Sequence, residues 1–64
     1  MFDAQLSIQK ANAKISRLRG EISDLREKLN TEPDPHKRAG MEQEIRTNEQ
    51  AIALGESQIR DWQR

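Results

Sequence analysis

The sequence NTEPDP, at residues 30–35, cannot lie inside a continuous helix. Each of its two prolines lacks an amide proton and disfavours helical geometry in the residue before it. Asp34 followed by Pro35 is also a favourable helix start, because an aspartate caps free amides and proline suits the first helical position. Asn30 is a suitable end for the preceding helix. The stretch therefore predicts a turn at residues 30–35 between helices at about residues 3–30 and 35–63.

On both sides of this turn, apolar residues recur at alternating spacings of three and four, the rhythm of a coiled-coil seam. A disordered chain has no reason to keep this phase over about four heptads on each side. The predicted seam consists of Ile8, Ala11, Ile15, Leu18, Ile22, Leu25 and Leu29 in the first helix, and of Met41, Ile45, Asn48, Ile52, Gly55, Ile59 and Trp62 in the second. The pattern predicts an all-α fold: one domain over residues 1–64, folded as an antiparallel two-helix coiled-coil hairpin.

Reversing the chain near Pro35 fixes the register of the two helices. Ile15 then lies opposite Gly55, and Ile22 lies opposite Asn48. The flanking pairs predicted by this register are Arg26–Glu42, Arg19–Glu49, Asn12–Glu56, Gln5–Gln63 and Lys28–Glu44. Asn48 either fixes the register at some cost in stability or pairs with another Asn48 across a homodimer interface.

A chain of 64 residues buries little apolar surface, and such chains usually rely on disulfides, a metal or association. The absence of cysteine excludes disulfides and thiolate metal sites. Glu32, Asp34 and His36 match no ligand motif, so we expect no metal and no cofactor. The remaining expectation is a homodimer, in which two hairpins form a four-helix bundle, or another protein as partner.

The sequence does not indicate catalysis. It has neither Cys nor Tyr, its only imidazole is His36, and it lacks a glycine-rich phosphate loop. We therefore expect neither an enzyme nor a small-molecule substrate. No apolar stretch approaches the roughly 20 residues that cross a bilayer, and the N-terminal residues do not resemble a signal peptide. A soluble cytoplasmic protein with no membrane contact is the simplest interpretation.

Several apolar residues extend the pattern toward the end predicted to carry both termini. The candidate partner-binding residues are Phe2, Leu6, Ala13, Leu54 and Trp62, with Phe2, Leu6 and Ala13 expected on the outer face of the first helix. They are either isolated surface residues or a contact patch for a second copy or another protein. Trp62 also fits the seam, so it is either a core residue or a binding hot spot.

The first helix also carries a basic segment. Residues 4–20 contain four basic side chains and no acidic one, whereas residues 42–56 contain four glutamates and one arginine. The basic groups are either neutralised within the hairpin or available to phosphates, and the candidate nucleic-acid contacts are Lys10, Lys14 and Arg17. The whole chain has 11 basic and 11 acidic residues, which argues against a protein that works mainly by binding polyanions.

In size and design the chain resembles the Rop family of small plasmid proteins, whose helical hairpins pair into a four-helix bundle that binds paired RNA loops. The resemblance covers architecture only and assigns no site residues. Our leading hypothesis is a small non-enzymatic protein–protein interaction module, such as an adaptor, an inhibitor or an assembly component of a phage or mobile element. The alternatives are a Rop-like dimeric regulator that binds RNA or DNA, and a passive structural spacer.

Overall fold

A computed structural model describes residues 2–64, and two α-helices account for most of that span. Helix α1 runs over Ala4–Thr31 and helix α2 over Pro35–Trp62, each 28 residues long. They pack side by side as an antiparallel hairpin, and the molecule measures 50 × 16 × 14 Å. The predicted all-helical hairpin is confirmed, with no strand between residues 2 and 64. Neither helix combines the length and apolar character needed to cross a membrane.

Both helices begin at an aspartate cap. The Oδ1 atom of Asp3 accepts a hydrogen bond of 3.1 Å from the Leu6 amide, and Oδ1 of Asp34 accepts one of 2.9 Å from the His36 amide. These bonds satisfy amides that have no partner within the first turn of a helix. The start of α2 at Asp34 and Pro35 is as predicted, whereas α1 continues to Thr31, one residue beyond the predicted end.

The turn is closed by the side chain of Arg38, which lies in the first turns of α2. Its Nη1 atom donates to the carbonyl oxygen of Leu29 at 2.6 Å and to that of Glu32 at 3.1 Å. The last carbonyls of a helix lack intrahelical donors, and the partial negative charge there favours a cation. Arg38 therefore caps the C-terminus of α1 from the other helix. The sequence pattern did not predict this contact.

The seam follows the predicted phase, and every predicted seam residue is buried or half-buried. Its most deeply buried members are Ile15, Leu18, Ile22 and Ile45, which are 5–8% exposed. No side chain among the described residues is completely enclosed. The hairpin by itself thus has a thin core, as expected for two helices with only each other to pack against.

Gly55 lies where the two helices approach each other closely. A Cβ atom added to it would be 3.3 Å from Cδ1 of Ile15, which agrees with the predicted layer that places these two residues opposite each other. A methyl group at position 55 would press on Ile15, which would have to move by a few tenths of an ångström. The glycine is therefore explained by packing, although it lowers the helix propensity of α2.

Alanine substitutions at the three glycines test this close approach. Gly20 and Gly40 have open space around them, so Gly20→Ala and Gly40→Ala should each raise the free energy of unfolding by about 1 kcal/mol. Gly55→Ala should raise the free energy of unfolding clearly less than this, or lower it, because its new methyl group presses on Ile15. Urea denaturation followed by circular dichroism measures all three. Equal gains at the three positions would contradict the close approach.

The flanking ion pairs differ from those predicted. Arg19 binds Glu56 with an Nη2–Oε2 distance of 3.0 Å, and Arg26 binds Glu49 at 3.4 Å. The predicted pairs Arg19–Glu49 and Arg26–Glu42 are therefore wrong, since each arginine binds the glutamate seven positions later. The predicted pair of Asn12 with Glu56 is replaced in the same way. Lys28 and Glu44 line one shallow groove but form no ion pair in the described part of the chain.

The direction of helical side chains explains this shift. Each Cα–Cβ bond tilts toward the N-terminus of its own helix. In an antiparallel pair, the side chains of α1 lean toward the chain ends, whereas those of α2 lean toward the turn. Two long side chains therefore meet when the glutamate starts farther from the turn than the level of the arginine. This tilt displaces the ends of the short seam side chains less, so the seam register is as predicted. The partners of the long flanking side chains are displaced by one heptad.

Candidate functional site

The two long faces of the hairpin differ in how they are occupied. The pairs Arg19–Glu56 and Arg26–Glu49 both cross one face, which we call the ion-pair face, beside Ile52. Within residues 2–64, no ion pair joins the two helices across the opposite face. That opposite face contains an apolar groove instead. This groove is therefore the candidate site.

The apolar groove lies between the two helices in the half of the hairpin nearest the chain ends. Its floor includes the small residues Ala11, Ala51 and Gly55, and Leu54 and Trp62 contribute its larger apolar surface. Its volume is about 420 Å³, and it is open to solvent along one side. An open apolar channel between helices can receive side chains from a further helix, because small residues allow close approach.

The groove exists because small residues replace large ones along its floor. Ala51 and Gly55 are four positions apart in α2 and so lie on the same face of that helix. Ala11 occupies a seam position of α1 where the neighbouring layers have isoleucine and leucine. Leu54 stands beside this floor and is 62% exposed. A large apolar side chain thus stands in water next to space that it does not fill.

Trp62 and Phe2 form an aromatic pair at the end of the hairpin. Their ring centroids are 5.9 Å apart and the rings are tilted by 50°, a geometry typical of favourable aromatic pairs. Phe2 precedes the cap residue Asp3, so the prediction that places it on the outer face of α1 is wrong. It lies across the chain ends, against Trp62, and remains 63% exposed.

The other predicted partner-binding residues separate into two groups. Leu54 and Trp62 line the apolar groove. Leu6 and Ala13 are exposed and stand seven positions apart on α1, so they share a face that points away from α2. Leu6 is 46% exposed. The structure therefore does not join the five predicted residues into one continuous patch.

The candidate nucleic-acid contacts also separate. Lys10 and Lys14 line the apolar groove. Arg17 lies 3.9 Å from Glu21, measured from Nε to Oε1, and the same carboxylate accepts a hydrogen bond of 3.5 Å from Nδ2 of Asn48. Asn48 is thus half-buried at the edge of the seam, where Glu21 provides an acceptor for its amide. The cationic groups closest to the groove are the two lysines.

Acidic side chains predominate on the same face nearer the turn. Glu21, Asp24 and Glu44 line a second, shallow groove together with Lys28. This groove continues the first one, because Glu21 follows Lys14 by seven positions and residues seven apart lie on the same face of a helix. The groove face is therefore basic toward the chain ends and acidic toward the turn.

Among the apolar residues that line the groove, Ala51 is the one that the sequence pattern missed. It lies outside the seam phase and is too common a residue type to attract notice. The available signal was its position, three residues before the off-seam Leu54 and four before the seam Gly55. Two small residues on one helix face, next to an exposed apolar residue, predict a groove with that apolar side chain along its edge.

Comparison of the chain with protein-family models, with curated proteins and with solved structures gave no match. The candidate site is therefore assigned from its own geometry.

Proposed function

We propose that this protein is a small non-enzymatic interaction module, acting as an adaptor, an inhibitor or an assembly component through helix–helix packing. The observation that carries the proposal is the apolar groove, in which exposed Leu54 stands beside the small residues Ala51 and Gly55. A helix inserted there would cover Leu54 and add the apolar burial that the thin core lacks.

Dimerisation into a four-helix bundle is part of this proposal. Two hairpins that cover each other's groove would satisfy the same need for burial as a foreign helix does. We place this assembly in the cytoplasm, because a chain without cysteine suits a reducing compartment. The proposal includes no cofactor; the groove lining is apolar apart from lysine, serine and glutamine side chains.

Leu54→Glu tests the groove directly. We expect it to weaken helix binding about tenfold to a hundredfold, because burial of a leucine contributes about 1.5–3 kcal/mol. Ala53→Glu is the matched control, since Ala53 is an exposed neighbour on the same helix outside the groove lining. Trp62 is the only tryptophan of the chain and lines the groove, so its fluorescence emission reports occupancy.

Two occupants are tested with these variants. The first is the protein itself, whose mass is followed by sedimentation equilibrium over a range of concentrations. The second is a synthetic amphipathic helix of about 20 residues, free of tryptophan, with a leucine face and glutamate flanks. The proposal fails if neither self-association nor the peptide shifts the Trp62 emission, or if Leu54→Glu and Ala53→Glu behave alike. A protein that tolerates both changes in every assay would instead be a passive spacer.

The alternative of a nucleic-acid regulator predicts a different result. It requires retention of RNA or DNA in a gel-shift assay at low salt, because phosphate contacts weaken as salt rises. It also requires that replacing Lys10, Lys14 and Arg17 by glutamate abolishes retention. Retention that depends on these residues while Leu54→Glu has no effect would favour the alternative over the interaction module.

A further inference from the structure

We propose that the occupant of the groove face is a second copy of this chain, bound antiparallel about a two-fold axis that crosses the hairpin near Leu18 and Ala51. The inference rests on the proposed function, commits to a second copy as the occupant, and adds the symmetry axis and the orientation. In this arrangement α1 lies against α1 of the other copy and α2 against α2. The ion-pair face remains exposed in the dimer.

The charges along α1 are arranged for such a pairing. Leu18 is near the middle of α1. Lys10 and Lys14 precede it on the groove face, and Glu21 and Asp24 follow it. A two-fold axis at Leu18 reverses this order in the second copy, so Lys14 of each copy faces the segment that holds Glu21 and Asp24 in the other. Opposite charges thereby face each other on both sides of the axis.

The alternative two-fold axis, parallel to the helices, gives a less complementary charge pattern. It would place α1 of one copy against α2 of the other at the same distance from the turn. Asp24 would then face Glu44, because these two carboxylates line the same shallow groove near the turn. Lys14 would face Leu54 and Gln58, which line the apolar groove with it and carry no negative charge. Lys28 would also face Glu44 there and offset part of that repulsion. The antiparallel arrangement is favoured because it alone places carboxylates opposite Lys14.

Shape supports the same arrangement. Ala51 is on α2 at about the level of Leu18, because Gly55 faces Ile15 one turn nearer the chain ends. A small residue next to a two-fold axis lets the paired helices approach closely, and Leu54 of one copy can then cover Ala51 of the other. The hairpin is 50 Å long and 16 Å wide, so its face is large enough for an interface of standard size, in which each partner buries roughly 800 Å².

Charge reversal with complementation tests the inference. Lys10→Glu with Lys14→Glu makes the groove face of α1 predominantly acidic, and Glu21→Lys with Asp24→Lys makes it basic. Each double variant should dimerise at least about tenfold more weakly than the wild type, because every substitution occurs twice in the interface. An equimolar mixture of the two should form a heterodimer with affinity near that of the wild type. Sedimentation equilibrium at low salt measures all of these affinities.

The control carries the same change in charge elsewhere. Arg46→Glu with Arg60→Glu reverses two exposed cations of α2 that line neither groove of the proposed interface, and it should dimerise like the wild type. Circular dichroism shows whether each variant keeps its helices. Lys10→Gln with Lys14→Gln repeats the test without adding charge, and a smaller loss in the same direction is expected.

Orientation is measured separately. The chain has no cysteine, so His36→Cys provides a single labelling site at the turn. Spin labels should be about 50 Å apart in the antiparallel dimer, which is the length of the hairpin. They would be within roughly 20 Å if the two turns lay side by side.

Three results would overturn the inference. The first is a wild-type protein that stays monomeric up to about 1 mM, the second is a mixture of charge variants that fails to associate, and the third is a short distance between labels at Cys-substituted His36. In each case the proposed function is judged independently by the peptide and by Leu54→Glu. Binding of the peptide to a monomeric protein would still support the interaction module, but with a partner other than a second copy.

Discussion

Replacement of Ile22 by alanine is expected to lower the free energy of unfolding by about 2–5 kcal/mol, the usual cost of truncating a buried isoleucine. Ile22 is 5% exposed and is one of four side chains buried to this degree within residues 2–64. A small domain rarely has more than about 3–5 kcal/mol to lose. The variant should therefore lose most of its cooperative unfolding transition. Urea denaturation monitored by circular dichroism, at a fixed protein concentration because association adds stability, measures the change.

Leu6→Ala is the control for this experiment. It removes the same number of carbon atoms from a side chain that is 46% exposed. Its cost should stay within about 0.5 kcal/mol, as for most surface substitutions. Equal losses for Ile22→Ala and Leu6→Ala would mean that the seam is not the source of stability.

Replacement of Arg38 by alanine is expected to cost about 1.5–3 kcal/mol, the range for hydrogen bonds to a charged group. The guanidinium donates to the Leu29 and Glu32 carbonyls at the end of α1. Without it, these carbonyls lose a donor that comes from the other helix. In a domain of this size the melting temperature should fall by roughly 4–8 °C for each kcal/mol, so thermal unfolding provides a clear readout.

Two further variants separate the hydrogen bonds of Arg38 from its charge. Arg38→Lys keeps the charge but loses the planar group that reaches two carbonyls, and it should recover only part of the stability. Lys37→Ala removes an exposed neighbouring cation and should change stability by less than about 0.5 kcal/mol. If Arg38→Ala and Lys37→Ala have the same effect, the contact across the turn contributes nothing measurable.

The features that the sequence predicted correctly are those determined by helix capping within one turn or by the heptad spacing of apolar residues. Asp34 and Pro35 start α2 because capping and the fixed proline torsion act within one turn of helix. The seam is correctly predicted because the heptad spacing places its residues on one stripe. The facing of Ile15 and Gly55 also follows from this phase once the turn is fixed.

The features that were missed depend on the direction of long side chains. The partners of Arg19 and Arg26 are displaced by one heptad because side chains on antiparallel helices lean in opposite directions. The contact of Arg38 was missed because its acceptors are main-chain carbonyl oxygens at the end of α1. Every residue has such a carbonyl, so a pattern of residue types cannot identify these acceptors. Phe2 was misplaced because it lies outside α1, where helical periodicity does not apply.

The candidate site was predicted only in part for a related reason. Leu54 was recognised because it is apolar and out of phase with the seam. The space beside it is formed by the small residues Ala51 and Gly55. A hydrophobicity pattern identifies which side chains are apolar, but it does not identify where small side chains leave a groove. The separation of Leu6 from the groove follows from helix geometry, since it lies on the far side of α1.

The cap by Arg38 also has a consequence for the order in which the hairpin folds. It joins residues nine positions apart, whereas the ion pairs Arg26–Glu49 and Arg19–Glu56 join residues 23 and 37 positions apart. The entropic cost of closing a loop rises with its length. Folding is therefore expected to begin at the turn and to proceed like a zipper toward Phe2 and Trp62. The half of the molecule that holds the apolar groove would then form last and open first. An occupant of the groove would therefore stabilise the part of the hairpin that unfolds most readily.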